Sequence, residues 1–188
     1  MMEKECTISD NLSRVNAQIS MALNRAGREP ESARLIAVSK TFSADVIREA
    51  YQSGQLRFGE NYVQEAINKI DTLRDLPLEW HFIGPIQSNK TRQIATKFDW
   101  VHSVDRLKIA QRLSEIRSQI GRPLKVCLQV NVTGEETKRG CRVSDVFDLA
   151  RAVRQLPFLD LRGLMTIPEV SAEDGTVSDT FRRLAELK

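Results

Sequence analysis

The residues best suited to carry chemistry follow short apolar runs that have the character of buried strands. Lys40 comes directly after the run Leu35-Ile36-Ala37-Val38. A lysine at that place is predicted to be partly desolvated, which favours a neutral amine that can attack an aldehyde and form a Schiff base. The alternative is a lysine that ends a strand and extends into solvent, and spacing alone does not separate the two.

Other polar side chains occur where the later apolar runs end or are interrupted. Asn61 follows the second run, His81 lies within the third, and Met165 lies near the end of the sixth. Asn61 is equally well placed to cap a following helix, and His81 to be a hydrogen-bonded core residue. The second histidine, His102, has no HExxH spacing to the first, and the cysteines have no CxxC spacing, so no metal site is predicted.

These residues need elements that bring them to a common edge. After an N-terminal helical pattern, short apolar runs alternate with amphipathic helical patterns, which is typical of βα units and a parallel sheet. The predicted strands are Arg34–Ser39, Leu56–Gly59, Leu78–Ile83, Trp100–Val104, Leu124–Asn131 and Leu161–Ile167. Ligands of parallel sheets bind at the carboxyl ends of the strands, so these polar side chains are predicted to share one rim. Six units are fewer than the eight that close a (β/α)₈ barrel.

Composition limits the other classes of function. The 188 residues, 41% hydrophobic and 28% charged, are typical of one globular domain, and we assign residues 1–188 to a single domain. A net charge of +3 with scattered basic residues gives no support for nucleic-acid binding. No apolar run approaches the roughly 20 residues that span a bilayer, and the start has no signal-peptide core. Three cysteines without disulfide or zinc spacing fit a reducing cytoplasm.

Four segments together resemble the pyridoxal phosphate homeostasis proteins, also called the YggS/PROSC family. In chain order they are Leu35–Thr41, Phe58–Glu65, Glu79–Lys90 and Leu161–Pro168, and their order and spacing match along essentially the whole chain. The resemblance implies an α/β domain of the (β/α)₈ TIM-barrel type, like the N-terminal domain of alanine racemase, with about six βα units in this chain. It also implies pyridoxal 5'-phosphate (PLP) bound as a Schiff base on Lys40, with Asn61, His81 and Met165 lining the cofactor.

The resemblance further implies a role in intracellular PLP homeostasis, without enzymatic activity and without catalytic or metal-binding residues. PLP-dependent apo-enzymes are the implied partners, and we expect a cytoplasmic monomer that binds neither nucleic acid nor a membrane. A PLP-dependent racemase or lyase of the same fold is an alternative, but it needs a second acid/base, and both tyrosines, Tyr51 and Tyr62, lie in helical patterns.

One departure from the family pattern concerns the phosphate. The family's last two βα units carry a serine- and glycine-rich stretch and an Arg-Ile-Gly-Thr stretch that hold the phosphate, and neither stretch occurs in the 188 residues. The phosphate of a barrel cofactor commonly lies on the loops after strands seven and eight. We therefore expect a C-terminally truncated chain with weakened binding, or a relic that no longer binds PLP.

Overall fold

Parallel strands alternate with helices along the chain, as the sequence predicts. The computed structural model describes residues 7–135, 137–168 and 174–187. Its helices are α1 (Ile8–Arg25), α2 (Ala44–Gln52), α3 (Val63–Thr72), α4 (Thr91–Lys97), α5 (Leu107–Ser118), α6 (Val146–Arg154) and α7 (Asp174–Ala185). Its strands are β1 (Ala37–Val38), β2 (Arg57–Glu60), β3 (Glu79–Phe82), β4 (Trp100–Val104), β5 (Leu124–Asn131), β6 (Cys141–Arg142) and β7 (Leu159–Met165). Among the helices described, none combines the length and hydropathy needed to cross a membrane.

The strands form one parallel sheet in nearly the order of the chain. Strands β1 to β5 lie side by side, and β7 pairs with β5. The short β6 pairs in parallel with the last residues of β5, and the sequence pattern does not predict it. Within the described ranges, β1 pairs only with β2 and β7 only with β5. The sheet is therefore the open, partial form of a barrel that the count of βα units predicts.

The predicted strand bounds are confirmed in the centre of the sheet and need correction at its edges. Strands β4 and β5 have the bounds that the sequence predicts. The predicted strand Arg34–Ser39 is reduced to Ala37–Val38, because β1 has a hydrogen-bonded neighbour on one side only. At the other edge, β7 begins and ends two residues earlier than predicted.

Amphipathic helices cover one face of the sheet, called here the outer face. On this face the rings of Phe82 and Phe98 meet edge to face, with centroids 5.2 Å apart. Fully buried apolar side chains from the strands and from α4 and α5 fill this layer: Ile94, Val101, Ile109, Leu113, Leu124 and Val126. Each such burial stabilises the fold by about 1.5–3 kcal/mol, so this layer is the main hydrophobic core.

The opposite face, called here the inner face, carries the residues that alternate with the core residues along each strand. A Cβ atom on Gly59 would lie 3.2 Å from Ile36 Cγ2 and 3.1 Å from Ile83 Cδ1, so neighbouring strands put these three positions on the inner face. The same alternation assigns Lys40, after β1, and Asn61, after β2, to the inner face. The two side chains therefore reach the rim from adjacent strands.

Candidate functional site

Lys40 lies in the turn that joins β1 to α2. Its side chain is exposed, so the predicted partial desolvation is wrong, because an edge strand of two residues buries its end less than a central strand does. Thr41 has a φ of 70°, in the left-handed region that non-glycine residues adopt at a cost of about 1–3 kcal/mol. Ser43 then caps α2 by accepting a hydrogen bond from the Val46 N–H at 3.4 Å. The turn thus presents an accessible amine on a strained backbone.

A buried ion network, called here the turn network, lies behind this turn between β2 and α3. Lys69 Nζ donates to Ser39 O at 2.7 Å, to Glu60 Oε1 at 2.8 Å and to Glu65 Oε1 at 2.5 Å. Ser39 Oγ also donates to Glu60 Oε1, at 2.7 Å. The Thr41 N–H donates to Glu65 Oε1 at 2.6 Å. Sequence reasoning missed this network, whose only signal is a lysine on the buried stripe of α3.

The last paired residues of β1 and β2 are Val38 and Gly59. Asn61 lies two residues after Gly59, and Lys40 two residues after Val38, so the two lie at the same level. Asn61 does not cap a helix, because α3 begins two residues later without a side-chain cap. Its Oδ1 atom is buried and has no hydrogen-bond partner among the described residues. Its backbone packs against Gly84, where a Cβ atom would lie only 2.2 Å from Asn61 O. The amide is thus held at the rim with one acceptor available.

His81 lies on the inner face of β3, paired with Gly59 of β2, and is 3% exposed. Its Nδ1 is 2.9 Å from His102 Nε2, and both rings stack on Trp100 with centroid distances of 5.5 and 5.6 Å. Burial, followed by repulsion from a protonated His102, lowers the pKa of His81 to about 4. Burial also lowers the pKa of His102. Both imidazoles are therefore neutral near pH 7, and His81 Nε2 faces Glu79 Oε2 at 3.6 Å, just beyond hydrogen-bond distance.

Glu79 is the polar centre of the inner face, nearer the amino ends of the strands. Its Oε1 accepts hydrogen bonds from Trp100 Nε1 at 2.7 Å and Lys125 Nζ at 3.1 Å, and its Oε2 lies 3.1 Å from Arg57 Nε. Burial alone would raise the pKa of Glu79, but the hydrogen bonds from Trp100 and Lys125 outweigh it, and the pKa is lowered. One carboxylate thus joins β2, β3, β4 and β5 beneath the rim.

Met165 ends β7, where it is paired with Gln129 of β5. Beside it a pocket of about 330 Å³ opens at the carboxyl ends of the two strands. Its polar lining includes Gln129, Asn131, Thr133, Lys138, Arg139 and Thr166. Lys138 Nζ donates to Glu135 Oε1 at 2.6 Å within this loop. The residue after Met165, Thr166, lines this cavity, and no residue of the turn that carries Lys40 does.

The structure brings three of the four predicted site residues together. Lys40, Asn61 and His81 lie on or directly after the adjacent strands β1, β2 and β3. Met165 lies at the other end of the sheet, with β4 and β5 between β3 and β7. The contact between the two histidines was not predictable from spacing, because it depends on the register in which His81 pairs with Trp100.

This arrangement fits an aromatic aldehyde with polar substituents. The exposed amine of Lys40 is the nucleophile that an aldehyde requires. The unpartnered Oδ1 of Asn61 is a buried polar atom at the rim that a ligand could satisfy. In the ranges that the structure describes, no group of three or more metal-ligating side chains occurs, so a metal centre finds no support there.

Comparison with known proteins first defines the class of the domain. A family model described as "Alanine racemase, N-terminal domain" matches residues 11–188. Fold and rim together therefore define a barrel-type domain of the alanine racemase N-terminal class. The protein named "Pyridoxal phosphate homeostasis protein" in Pseudomonas aeruginosa is 59% identical over 181 residues, which cover 96% of this chain and 79% of that protein. The chain belongs to the pyridoxal phosphate homeostasis protein family, which confirms the family predicted from the four segments.

Solved structures give the same result for the fold. PipY of Synechococcus elongatus is 39% identical and superposes with a TM-score of 0.86 without PLP and 0.82 with PLP bound. The matches cover 96% of this chain and 80% and 82% of those chains, respectively. An alanine racemase of Clostridium difficile is 16% identical, with a TM-score of 0.65 over 93% of this chain and 46% of its own, and supports the fold alone. The predicted barrel type is confirmed.

Proposed function

We propose that this protein binds PLP at the rim and acts in intracellular PLP homeostasis, with the cofactor held as a Schiff base on Lys40. The observation that carries the proposal is the exposed Lys40 amine on the turn after β1, beside the unpartnered Oδ1 of Asn61. Two comparisons support it: the name of the 59% identical relative, and PipY, whose structure is described with PLP bound.

Each proposed site residue has a role that its surroundings support. Lys40 would hold the cofactor through its amine, whose condensation with an aldehyde forms a C=N bond and releases one water. Asn61 Oδ1 would accept a hydrogen bond from a polar substituent of the ring. His81, neutral near pH 7, would pack beside the cofactor without adding charge. Met165 would bound the cofactor from the opposite side of the rim.

We infer a binding role rather than catalysis. Turnover of an amino acid on the cofactor would require a second acid/base held near Lys40. Neither tyrosine is buried against the rim, because Tyr51 lies in α2 and Tyr62 has 58% of its surface exposed. PLP-dependent apo-enzymes are the proposed recipients of the cofactor, and the protein is proposed to act as a monomer in the cytoplasm.

The proposal is tested by titrating the folded protein with PLP and recording the visible absorbance of a lysine Schiff base. Borohydride reduction followed by peptide mass spectrometry identifies the modified lysine. We expect the band, and label on Lys40, in the wild type and in Lys108→Ala, which replaces an exposed lysine of α5, and neither in Lys40→Ala. PipY serves as the positive control. Folded wild-type protein that gives no band while PipY does would refute PLP binding by this chain.

The enzyme alternative is tested with the same preparations. Alanine and serine enantiomers are incubated with the PLP-loaded protein, and racemisation or deamination is followed by chiral chromatography and ketoacid assay. We expect no turnover above that of Lys40→Ala. Turnover that depends on Lys40 would replace the homeostasis proposal with a racemase or lyase activity.

A further inference from the structure

We propose that Lys69 is a positioning residue for Lys40, and that its ammonium group, with Glu60 and Glu65, holds the backbone on both sides of Lys40. The inference rests on the proposed function where it concerns Schiff-base formation. The restraint on the turn itself follows from the contacts of these side chains. Lys69 belongs to α3 and lies 30 residues from Ser39 in sequence, so the contact is a tertiary one.

The ammonium group of Lys69 has three protons, and the structure provides three acceptors for them. They are the backbone oxygen of Ser39, Glu60 Oε1 and Glu65 Oε1, at 2.7, 2.8 and 2.5 Å. The Lys69 side chain is 7% exposed and that of Glu60 is fully buried. A buried charge requires such complete pairing, because an unpaired one is expelled or neutralised. The ammonium group is thus fully paired, whereas the second oxygen of Glu60, Oε2, is buried without a hydrogen-bond partner among the described residues.

Two of the three acceptors connect directly to the backbone that flanks Lys40, and the third, Glu60, reaches it through the side chain of Ser39. Ser39 O belongs to the residue before Lys40, and Glu60 Oε1 also binds Ser39 Oγ at 2.7 Å. Glu65 Oε1 also accepts the N–H of Thr41, the residue after Lys40, at 2.6 Å. The hydrogen bond from Lys69 holds the pKa of Glu65 below its usual value, which keeps this carboxylate an anionic acceptor. One ammonium group is thus linked to both peptide groups around Lys40.

The restraint acts at a place where the backbone needs it. Thr41 has a φ of 70°, a conformation that a threonine leaves unless its surroundings hold it. Its N–H is held by a carboxylate, and hydrogen bonds to charged acceptors are the stronger kind. Loss of that bond would let the turn relax and change the direction in which Lys40 extends. The network therefore holds the turn in its strained conformation. β1 has only two residues, and its own pairing is too short to fix the turn.

The turn network and the Lys40 side chain lie on opposite faces of the sheet. Ser39 and Glu60 alternate with the inner-face positions and point toward α3, where Lys69 meets them. Lys69 therefore acts on Lys40 through the backbone and does not touch a ligand on the inner face. This separation distinguishes a positioning residue from a cofactor-contacting one.

The test compares variants of the turn network with a control on the same helix. Lys69→Met removes the ammonium group, and Glu65→Ala removes the acceptor of the Thr41 N–H at a partly exposed position. Glu65→Gln keeps an oxygen acceptor and is the conservative rescue. Asp71→Ala is the matched control, because it breaks an ion pair of α3 with Lys97, at 2.5 Å, that does not involve the turn.

Two measurements are made at a temperature where thermal melts show each variant fully folded. Amide exchange of Thr41, by NMR of nitrogen-15-labelled protein, reports the turn without any cofactor. We expect it to accelerate about tenfold or more in Lys69→Met and Glu65→Ala, as for loss of a charge-assisted hydrogen bond, with partial recovery in Glu65→Gln. The rate of Schiff-base formation with PLP should fall by about tenfold or more in the same variants, since misplacement of a reacting group by about 1 Å costs up to 10²-fold. Asp71→Ala should change neither.

The two measurements separate failure of this inference from failure of the proposed function. Unchanged Thr41 exchange in both Lys69→Met and Glu65→Ala would overturn the restraint. Faster exchange with an unchanged rate of Schiff-base formation would overturn its effect on Lys40. Wild-type protein that forms no Schiff base would refute the proposed function, and the exchange measurement would still decide whether Lys69 holds the turn.

Discussion

The His81 ring offers a prediction that depends only on folding and titration. In the unfolded chain a histidine has a pKa of about 6.5, whereas burial and the neighbouring His102 lower the pKa of His81 to about 4 in the fold. Between these values the unfolded chain binds more protons than the folded protein. Stability is therefore full above pH 6.5, falls as the pH decreases below 6.5, and levels off below about 4.

The size of the effect follows from the two pKa values. Their difference corresponds to about 3 kcal/mol when titration is complete, and to about 2 kcal/mol between pH 8 and pH 5. The lowered pKa of His102 adds a loss of the same sign. The lowered pKa values of Glu65 and Glu79 act in a different range, because their contributions to stability are lost only as the pH falls below 4.5, the ordinary pKa of a glutamate. The sequence contains two histidines, so the loss above pH 5 belongs to this pair.

The assay is urea unfolding at pH 8, 7, 6 and 5, followed by tryptophan fluorescence and circular dichroism. His81→Gln removes the titrating ring and keeps polar atoms beside His102. We expect the decrease in unfolding free energy between pH 8 and pH 5 to be about 2 kcal/mol smaller in His81→Gln than in the wild type. The same decrease in both proteins would refute the buried neutral pair. A wild type that gains stability toward pH 5 would show that the Glu79 carboxylate stabilises protonated His81 in the fold.

Three further predictions concern packing, the inner face and the thiols. Gly84→Ala would place a Cβ atom 2.2 Å from a backbone oxygen, so thermal melts should show a loss of stability of about 3 kcal/mol or more. The control is Gly121→Ala, where the new Cβ atom has open space but φ is 79°, and the expected loss is about 1 kcal/mol. Glu79→Gln should lower the free energy of unfolding in urea by about 1–3 kcal/mol, because Arg57 and Lys125 lose their anionic partner. An unchanged unfolding midpoint would contradict the conclusion that Glu79 joins four strands. Burial raises the pKa of Cys127 and of Cys141 to about 11, so both thiols should resist iodoacetamide at pH 8 until urea is added, as peptide mass spectrometry would detect.

The regular part of the fold could be predicted from the sequence because its signal is local. Strands β4 and β5 have neighbours on both sides, and the bounds predicted from their apolar residues are confirmed. Strand β1 is shorter than predicted, because its length is limited by pairing with β2 and not by its own residues. Lys40 is exposed for the same reason, because it follows a short edge strand. The residues around Lys40 carry no pattern that predicts this exposure.

The supporting half of the candidate site is harder to predict, because its members meet only in the folded chain. Lys69 has the spacing of a buried residue, three positions after Ala66 and six after Val63, all of them buried. A lysine on such a stripe requires acidic partners. Its own helix offers Glu65 four residues earlier, whereas Glu60 comes from the end of β2. The helix spacing thus indicates that a buried cation exists, and only the sheet register shows which backbone it holds. An exposed amine such as Lys40 can then be positioned from the opposite face, without any group of its own side chain being buried.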